Sequence, residues 1–272
     1  MNMKWDLAVC GCGTVGYWMV SELAKCDTCT LPERLFLFDS ARIRKDNSIT
    51  CPEYVGHAGQ LKCRRLAELV NTWLSGRIDV VPFYTRVEQI QWNSVIRIGQ
   101  VAHTIVLVGL DSWPSRMAVA EDLRHLVAKT SMDILAIQVG LDRGQASIAV
   151  YGCQFNDPCP ACGLLCLPGG EPCVAWTVDN KLLRGNLHSE AKAAAGIVHS
   201  ILTDLCRPDG KQSWLNTKIN LVMSSLSGKG YLQFARPCSM ATDCLGPHTA
   251  KTPIRWDMAL GTITCGKESL WQ

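Results

Sequence analysis

The chain has 272 residues, enough for one large α/β domain or two small ones. Its 47% hydrophobic and 19% charged residues and its formal charge of +3 are typical of a soluble globular protein. No basic run suits nucleic acid or an anionic membrane. Lys4 and Asp6 interrupt the first apolar stretch, and no window of about 18 apolar residues follows. We therefore expect a protein that is not exported, does not span a membrane and does not bind nucleic acid.

The first half of the chain alternates strand-like and helix-like segments. Short apolar runs predict buried strands at residues 4–10, 35–39, 78–83 and 104–111. Helical spacing of apolar residues marks YWMVSELAK at 17–25 and LKCRRLAELVNTWL at 61–74. Such alternation predicts a Rossmann-like α/β fold, with a mostly parallel sheet and flanking helices.

The second half changes in composition at about residue 153. Two more strands are predicted at 133–140 and 145–152, followed by a Cys, Pro and Gly-rich crossover loop over about 153–188. A helix rich in small residues is predicted at 188–206, and two C-terminal antiparallel strands at 218–226 and 229–236. No repeat or clear linker divides the chain, so we expect a single domain over 1–272.

A glycine-rich turn lies between the first strand and the first helix. Gly11, Gly13 and Gly16 form the pattern G-x-G-x-x-G, in which backbone N–H groups and the helix dipole can hold phosphate oxygens. Asp39 ends the second strand, where a carboxylate can accept hydrogen bonds from ribose hydroxyls. Both features suit ATP or NAD equally, and a merely tight turn is the structural alternative.

Four further residues separate ATP from NAD. Adenylation needs cations around the triphosphate and an acidic group for Mg²⁺, whereas hydride transfer needs neither. The sequence offers Asn47, Lys62, Asp111 and Arg116, in that order after the glycine turn. Each has a plain structural alternative: a turn former, a solvated helix charge for Lys62 and Arg116, and a helix N-cap for Asp111. Together they favour a nucleotide triphosphate.

The motifs DSARIRKDN, GQLK and DSWPSR, ordered after GCGTVG, resemble the ThiF/MoeB family of ubiquitin-activating-like enzymes. The resemblance covers roughly residues 5 to 245. It implies that Asp39 holds ribose, that Asn47 and Lys62 contact phosphates, and that Asp111 helps to place Mg²⁺. It also implies a catalytic role for Lys62, Asp111 and Arg116.

One position departs from the family pattern. The family usually has an arginine three residues after the asparagine, whereas this chain has Thr50. Arg42, Arg44 and Lys45 lie close by in sequence and could supply the missing cation. A solvated charged loop is the alternative for these three residues.

The chain contains fifteen cysteines, and their setting favours reduced thiols, some of them bound to metal, in a cytoplasmic protein. CPAC places Cys159 and Cys162 at a zinc-ligand spacing. Cys238 and Cys244 form a second pair, with His248 as an alternative to Cys244. In the family such a distant pair staples the crossover region to the C-terminal strands through Zn²⁺.

A thiol in the crossover stretch could accept an acyl group from an adenylate. Cys166 and Cys173 are both available there. Cys173 lies in the interval where related enzymes carry their acceptor cysteine, which makes it the candidate nucleophile. An unreactive loop cysteine is the alternative.

The resemblance therefore implies an enzyme, which we expect to be a homodimer. With ATP and Mg²⁺ it would adenylate the C-terminal carboxylate of a ubiquitin-like or sulfur-carrier protein whose tail ends in glycine. A thioester and transfer to a conjugating enzyme could follow. The rival hypotheses are an NAD-dependent oxidoreductase and a catalytically silent adaptor with the same fold.

Overall fold

The fold is described from a computed structural model of the chain. The structure describes residues 4–25, 31–96, 103–142, 145–154, 157, 180–207, 214–215, 217–223, 230–235, 254–257, 262–265 and 268–269.

Among these residues, eight strands form one mixed sheet in the order β3-β2-β1-β4-β5-β6-β7-β8. The parallel part consists of β1 (Trp5–Cys10), β2 (Arg34–Phe38), β3 (Asp79–Phe83), β4 (His103–Val108) and β5 (Ile134–Asp142). The antiparallel part consists of β6 (Gln145–Gly152), β7 (Thr217–Met223) and β8 (Gly230–Ala235). The predicted Rossmann-like sheet with antiparallel C-terminal strands is confirmed.

The helices are α1 (Thr14–Leu23), α2 (Lys62–Leu74), α3 (Trp92–Val95), α4 (Trp113–Thr130) and α5 (Asn180–Leu205), with 3-10 turns at Lys45–Ile49, Pro52–Tyr54 and Val87–Gln89. One core lies between the sheet and α1, α2 and α5, and the other between the sheet and α3 and α4. Alternate residues of β1 serve the two cores: Val9 belongs to the first and Ala8 to the second. Burial on both faces explains why these strands read as continuous apolar runs.

Helix α5 corrects one sequence expectation. The crossover loop was predicted to continue to about residue 188, but the helix begins at Asn180. Leu183, Leu187 and Ala191 extend the apolar spacing of the predicted helix backward by two turns, so the helical period already covers this stretch. Gly185, which lies in the Gly-rich stretch predicted to be a loop, is tolerated within a helix at a cost of about 1 kcal/mol.

A second, three-stranded antiparallel sheet, which the sequence did not predict, is formed by β9 (Ile254–Asp257), β10 (Thr262–Cys265) and β11 (Glu268–Ser269). No helix in the described part of the chain is both long and apolar enough to cross a lipid bilayer.

An ion pair is buried where β1 and β2 begin. Asp6 and Arg34 are directly paired in the parallel register, and their side chains form a salt bridge with both groups almost fully removed from water. The Arg34 guanidinium also lies 4.7 Å from the centre of the Phe36 ring. This pair marks the edge of the sheet opposite to the glycine turn.

Candidate functional site

The loops that follow β1, β2 and β4 meet at the carboxyl edge of the sheet. The Gly11 N–H donates to the Phe38 carbonyl at 2.8 Å, and the Gly109 N–H donates to the Cys10 carbonyl at 2.9 Å. The strand order reverses between β1 and β4, and open α/β sheets bind ligands at such a switch point. The sequence-predicted site therefore lies where this fold can hold a ligand.

Two glycines of the turn are required by close backbone approach. Gly11 has φ +98°, and a Cβ there would lie 2.8 Å from the Gly109 carbonyl oxygen. A Cβ at Gly16 would lie 2.0 Å from the Gly11 carbonyl oxygen, so α1 can pack against the turn only with glycine at this position. Gly13 is the N-cap of α1 and brings no capping side chain. The N–H groups of the first helical turn are thus left to bind an anion.

Asp39 is fixed by main-chain donors of the two adjoining loops. Its Oδ2 accepts the Cys12 N–H at 2.8 Å, and its Oδ1 accepts the Ala41 N–H at 2.6 Å. The side chain is only half-buried. Because a carboxylate offers about four acceptor sites, two remain for a ligand. The ribose-binding role of Asp39 stays a prediction that this geometry permits.

Lys62 lies at the first position of α2, where its N–H donates to the Ala41 carbonyl at 3.1 Å. Burial raises the pKa of Cys12 well above its ordinary value, Asp39 raises it further, and the Lys62 ammonium lowers it. Lys62 acts in the same direction on the pKa of Cys51. The Lys62 ammonium therefore lies within electrostatic reach of the Cys12 and Cys51 thiols.

Three buried thiols lie beneath this charged surface. Burial raises the pKa of Cys51 to about 11 and also raises the pKa of Cys63. The buried Tyr54 hydroxyl closes the layer by donating to the Cys12 carbonyl at 2.9 Å. All three thiols stay protonated near neutral pH, so none is an activated nucleophile. They pack as small apolar groups below the turn.

Asp111 lies in the loop after β4, which corrects the expectation that it ends the strand. The strand ends at Val108, because Gly109 and Leu110 turn the chain against the glycine turn. A Cβ at Gly11 would touch both of those residues, at 2.8 Å and 3.3 Å. Asp111 itself is exposed. Its carboxylate is therefore presented to solvent beside the turn.

The Arg116 side chain is less available to a ligand than that of Asp111. Its Nε donates to the Leu110 carbonyl at 2.7 Å, and its guanidinium lies next to Gly140 at the end of β5. The side chain thereby holds the loop that carries Asp111. Its expected catalytic role stays a prediction, whereas its contact with the loop is structural.

The side chain of Asn47 takes part in a local turn. Its Oδ1 accepts the Arg44 N–H at 2.9 Å, which is the turn-forming alternative considered above. Only its side-chain amide N–H groups could serve a phosphate, and that role stays a prediction.

Thr50 occupies the position where the resemblance would place an arginine. It is buried, and its hydroxyl accepts a hydrogen bond from the Thr14 hydroxyl at 2.7 Å. Its carbonyl accepts the Trp18 indole N–H at 2.9 Å. Thr50 therefore joins the first turn of α1 to the loop after β2 without adding charge. Neither Thr14 nor Trp18 was singled out from the sequence, because hydroxyl and indole groups carry no spacing signal.

The neighbouring basic residues have other partners. Arg42 donates to the Gly59 carbonyl at 2.8 Å and lies 6.0 Å from the centre of the exposed Tyr84 ring. Arg44 is exposed and pairs with Asp46 at 3.3 Å. Lys45 is exposed at the start of the 3-10 turn. The contacts of the two arginines fit the solvated-loop alternative better than a direct substitute for the arginine.

The predicted zinc ligands and acceptor thiols lie outside the described residues, and their roles stay predictions: Cys159, Cys162, Cys166, Cys173, Cys238, Cys244 and His248. Within the part of the chain that the structure describes, no group of three or more His, Cys, Asp and Glu side chains could hold a metal ion.

No protein-family model matches the chain, and no curated protein matches it significantly. Solved structures do match. For E. coli MccB with ATP, the TM-score is 0.57 at 15% identity, over 88% of this chain and 65% of MccB. For the microcin C7 biosynthetic enzyme MccB with N-formylated MccA, the TM-score is 0.58 at 16% identity, over 88% of this chain and 67% of MccB. For PaaA, the TM-score is 0.55 at 14% identity, over 84% of this chain and 72% of PaaA.

This likeness shows a shared fold. The chain has a fold similar to that of MccB and PaaA, and membership of the ThiF/MoeB family stays a prediction. The chain covers 65% and 67% of the two MccB chains compared above. Sequence identity at this level leaves activity, substrate and partners to be argued from the site.

Proposed function

We propose that this protein adenylates the C-terminal carboxylate of a peptide or protein tail, with ATP as the second substrate. The observation that carries the proposal is the arrangement of opposite charges around the glycine turn. The Asp39 carboxylate is fixed by the Cys12 and Ala41 N–H groups. Asp39 raises the pKa of the Cys12 thiol and the Lys62 ammonium, on α2, lowers it, so both charges act on the same group below the turn. A turn, a carboxylate and a cation in this order suit ribose and phosphates together.

The reaction joins two anions, so positioning and charge neutralisation dominate its catalysis. A tail carboxylate oxygen attacks the α-phosphorus, the bond from that phosphorus to the bridging oxygen breaks, and pyrophosphate leaves with its electron pair. No proton transfer is required. The N–H groups of α1 and the Lys62 ammonium would bind the phosphates as charge shifts toward the leaving group.

The site also suits Mg²⁺. This ion usually takes one or two protein carboxylates together with substrate phosphates and water. Asp111 is an exposed carboxylate on the loop that packs against the glycine turn, so it fits that requirement. Bound there, Mg²⁺ would neutralise phosphate charge during transfer.

The tail belongs, in this proposal, to a ubiquitin-like or sulfur-carrier protein, and the enzyme acts as a homodimer in the cytoplasm. Support comes from the ordered motifs of the sequence and from the shared fold. Cys173 would accept the acyl group before transfer to a conjugating partner, and Cys159, Cys162, Cys238 and Cys244 would hold Zn²⁺. The pyrophosphate exchange test below addresses the adenylation step separately from these later steps.

Exchange of labelled pyrophosphate into ATP, driven by candidate glycine-ended tails, tests the proposal. We expect exchange by the unaltered protein, a loss of at least about tenfold in Lys62→Met, and partial recovery in Lys62→Arg. Lys129→Met, at an exposed lysine in the last turn of α4, is the matched control. Binding of NAD(H) without exchange would instead support an oxidoreductase, and tail binding without ATP binding would support a silent adaptor.

A further inference from the structure

Helix α5 places two basic side chains on the ring of Trp18. The His188 ring meets the indole edge to face, with 4.6 Å between ring centres and an interplanar angle of 73°. The Lys192 ammonium lies 5.6 Å from the centre of the same ring. Trp18 belongs to α1, the helix that starts at the glycine turn. Helix α5, which is distant from α1 in sequence, therefore places the positive charge of Lys192 beside α1.

Trp18 is connected to the glycine turn by two hydrogen bonds. Its indole N–H donates to the Thr50 carbonyl at 2.9 Å, and the Thr50 hydroxyl accepts from Thr14 at 2.7 Å. Thr14 is the first residue of α1, where the helix offers its N–H groups to an anion. Lys192 therefore contacts a side chain that is linked through Thr50 to the start of α1.

The arginines near the turn are bonded to protein groups. A bound triphosphate concentrates negative charge at its β- and γ-phosphates. Arg116 and Arg42 donate to backbone carbonyls, and Arg44 pairs with Asp46. Thr50 contributes a neutral hydroxyl. A cation held only by an aromatic ring would therefore complement Lys62 at the outer phosphates.

Lys192 differs from those arginines in what holds it. No acidic side chain in the described ranges forms an ion pair with it, and the residue is exposed. Its charge rests on an aromatic face, a contact that is weak at exposed positions. Such an ammonium can turn from the ring to a phosphate on its flexible stem at little cost.

We propose that Lys192 supplies cationic charge to the β- and γ-phosphates of bound ATP, with the Trp18 ring as its resting platform and His188 as a positioning residue on the same ring. This inference rests on the proposed function. It assigns to α5, which lies far from the glycine turn in sequence, a phosphate-binding cation that complements Lys62.

Calorimetric titration with ATP and with AMP, each with Mg²⁺, tests the inference. We expect Lys192→Met to weaken ATP binding about tenfold and to leave AMP binding unchanged, because AMP lacks the two outer phosphates. Lys192→Arg should recover part of the ATP affinity, because it keeps the positive charge but changes the shape of the group on the Trp18 ring. Lys129→Met is the control for removal of an exposed lysine elsewhere, and thermal denaturation verifies that each variant folds.

The outcomes separate the two proposals. An equal loss of ATP and AMP affinity would mean that Lys192 only supports the fold around Trp18, and unchanged ATP affinity in Lys192→Met would overturn the inference alone. A selective loss in Lys45→Met, without one in Lys192→Met, would assign the charge to the loop after β2. Failure of the unaltered protein to bind ATP would overturn the proposed function and this inference together.

Discussion

Two aspartates, one in β1 and one directly after β2, show how differently the two edges of this sheet use the same side chain. Asp6, where β1 begins, is fully buried and bonded to the Arg34 guanidinium. Asp39, directly after β2, is half-buried and bonded to two main-chain N–H groups. One carboxylate is neutralised by a partner charge, whereas the other keeps its charge and part of its acceptor capacity.

The difference teaches where a ligand can act. A buried carboxylate has its solvation replaced by one cation, so little is left for a ligand to gain. A carboxylate held by neutral N–H donors is fixed in position but still attracts hydroxyl donors. Substitution of Asp6 should therefore lower stability and leave ligand binding intact. Substitution of Asp39 should weaken ligand binding and affect stability less.

The largest expected effect comes from breaking the buried pair. Asp6→Ala leaves the Arg34 guanidinium buried without its counter-charge, and we expect a loss of about 3–5 kcal/mol in the free energy of unfolding. Urea denaturation followed by circular dichroism measures this loss. Asp39→Ala should lose less stability, and the double variant Asp6→Leu with Arg34→Met should recover much of the loss. A loss below about 1 kcal/mol in the free energy of unfolding of Asp6→Ala would show that the Asp6–Arg34 pair contributes little to stability.

The next effect concerns the buried thiols below the carboxyl edge. The pKa of Cys51 is raised by burial from an ordinary 9.0 to about 11. Between these values the unfolded chain loses the thiol proton while the folded chain keeps it, so stability falls as pH rises from 9 to 11. The stability linked to the raised pKa of Cys51 is fully present below pH 9. We expect Cys51 alone to account for about 2–3 kcal/mol of this alkaline loss.

Urea midpoints of the unaltered protein and of Cys51→Ala at pH 8, 9, 10 and 11 measure the effect. Buried Cys10, Cys12 and Cys63 also have raised pKa values, and their contributions are common to both proteins. The alkaline slope should be shallower in Cys51→Ala. Equal slopes would mean that the Cys51 thiol reaches water in the folded state.

Much of the fold could be predicted from the sequence, because strands buried on both faces and amphipathic helices have strong local patterns. The run LFLFD and the helix at residues 61–74 are examples, and their observed bounds differ from the expected ones by a single residue. The start of α5 was missed because Gly185 and the Cys, Pro and Gly-rich stretch before it indicate a loop. There a continuing apolar period mattered more than one unfavourable residue.

The candidate site could be predicted only in part. Gly11, Gly16 and Asp39 follow from steric and charge requirements that a short motif records. Other contacts join residues that are far apart in the chain, namely the Asp6–Arg34 pair and the contact between Lys192 and Trp18. No local sequence pattern predicts such contacts. The roles of Asn47, Asp111 and Arg116 depend on a bound nucleotide, so their place in the reaction stays a prediction.

The smallest effect concerns the neutral link between α1 and the loop after β2. Thr50→Val keeps the shape of the side chain and its carbonyl bond to Trp18, but removes the acceptor of the Thr14 hydroxyl. We expect a loss of about 1 kcal/mol in the free energy of unfolding, since a buried hydroxyl loses its partner. Thr72→Val, which removes an exposed hydroxyl bond to the Glu68 carbonyl, is the matched control and should cost less.

A double-mutant cycle with Thr14→Val separates the hydrogen bond from the packing of each side chain. If the two hydroxyls stabilise each other, the double variant loses less stability than the two single losses added together. Additive losses would mean that they act independently. In that case the hydrogen bond between the two hydroxyls would not couple the start of α1 to the loop after β2.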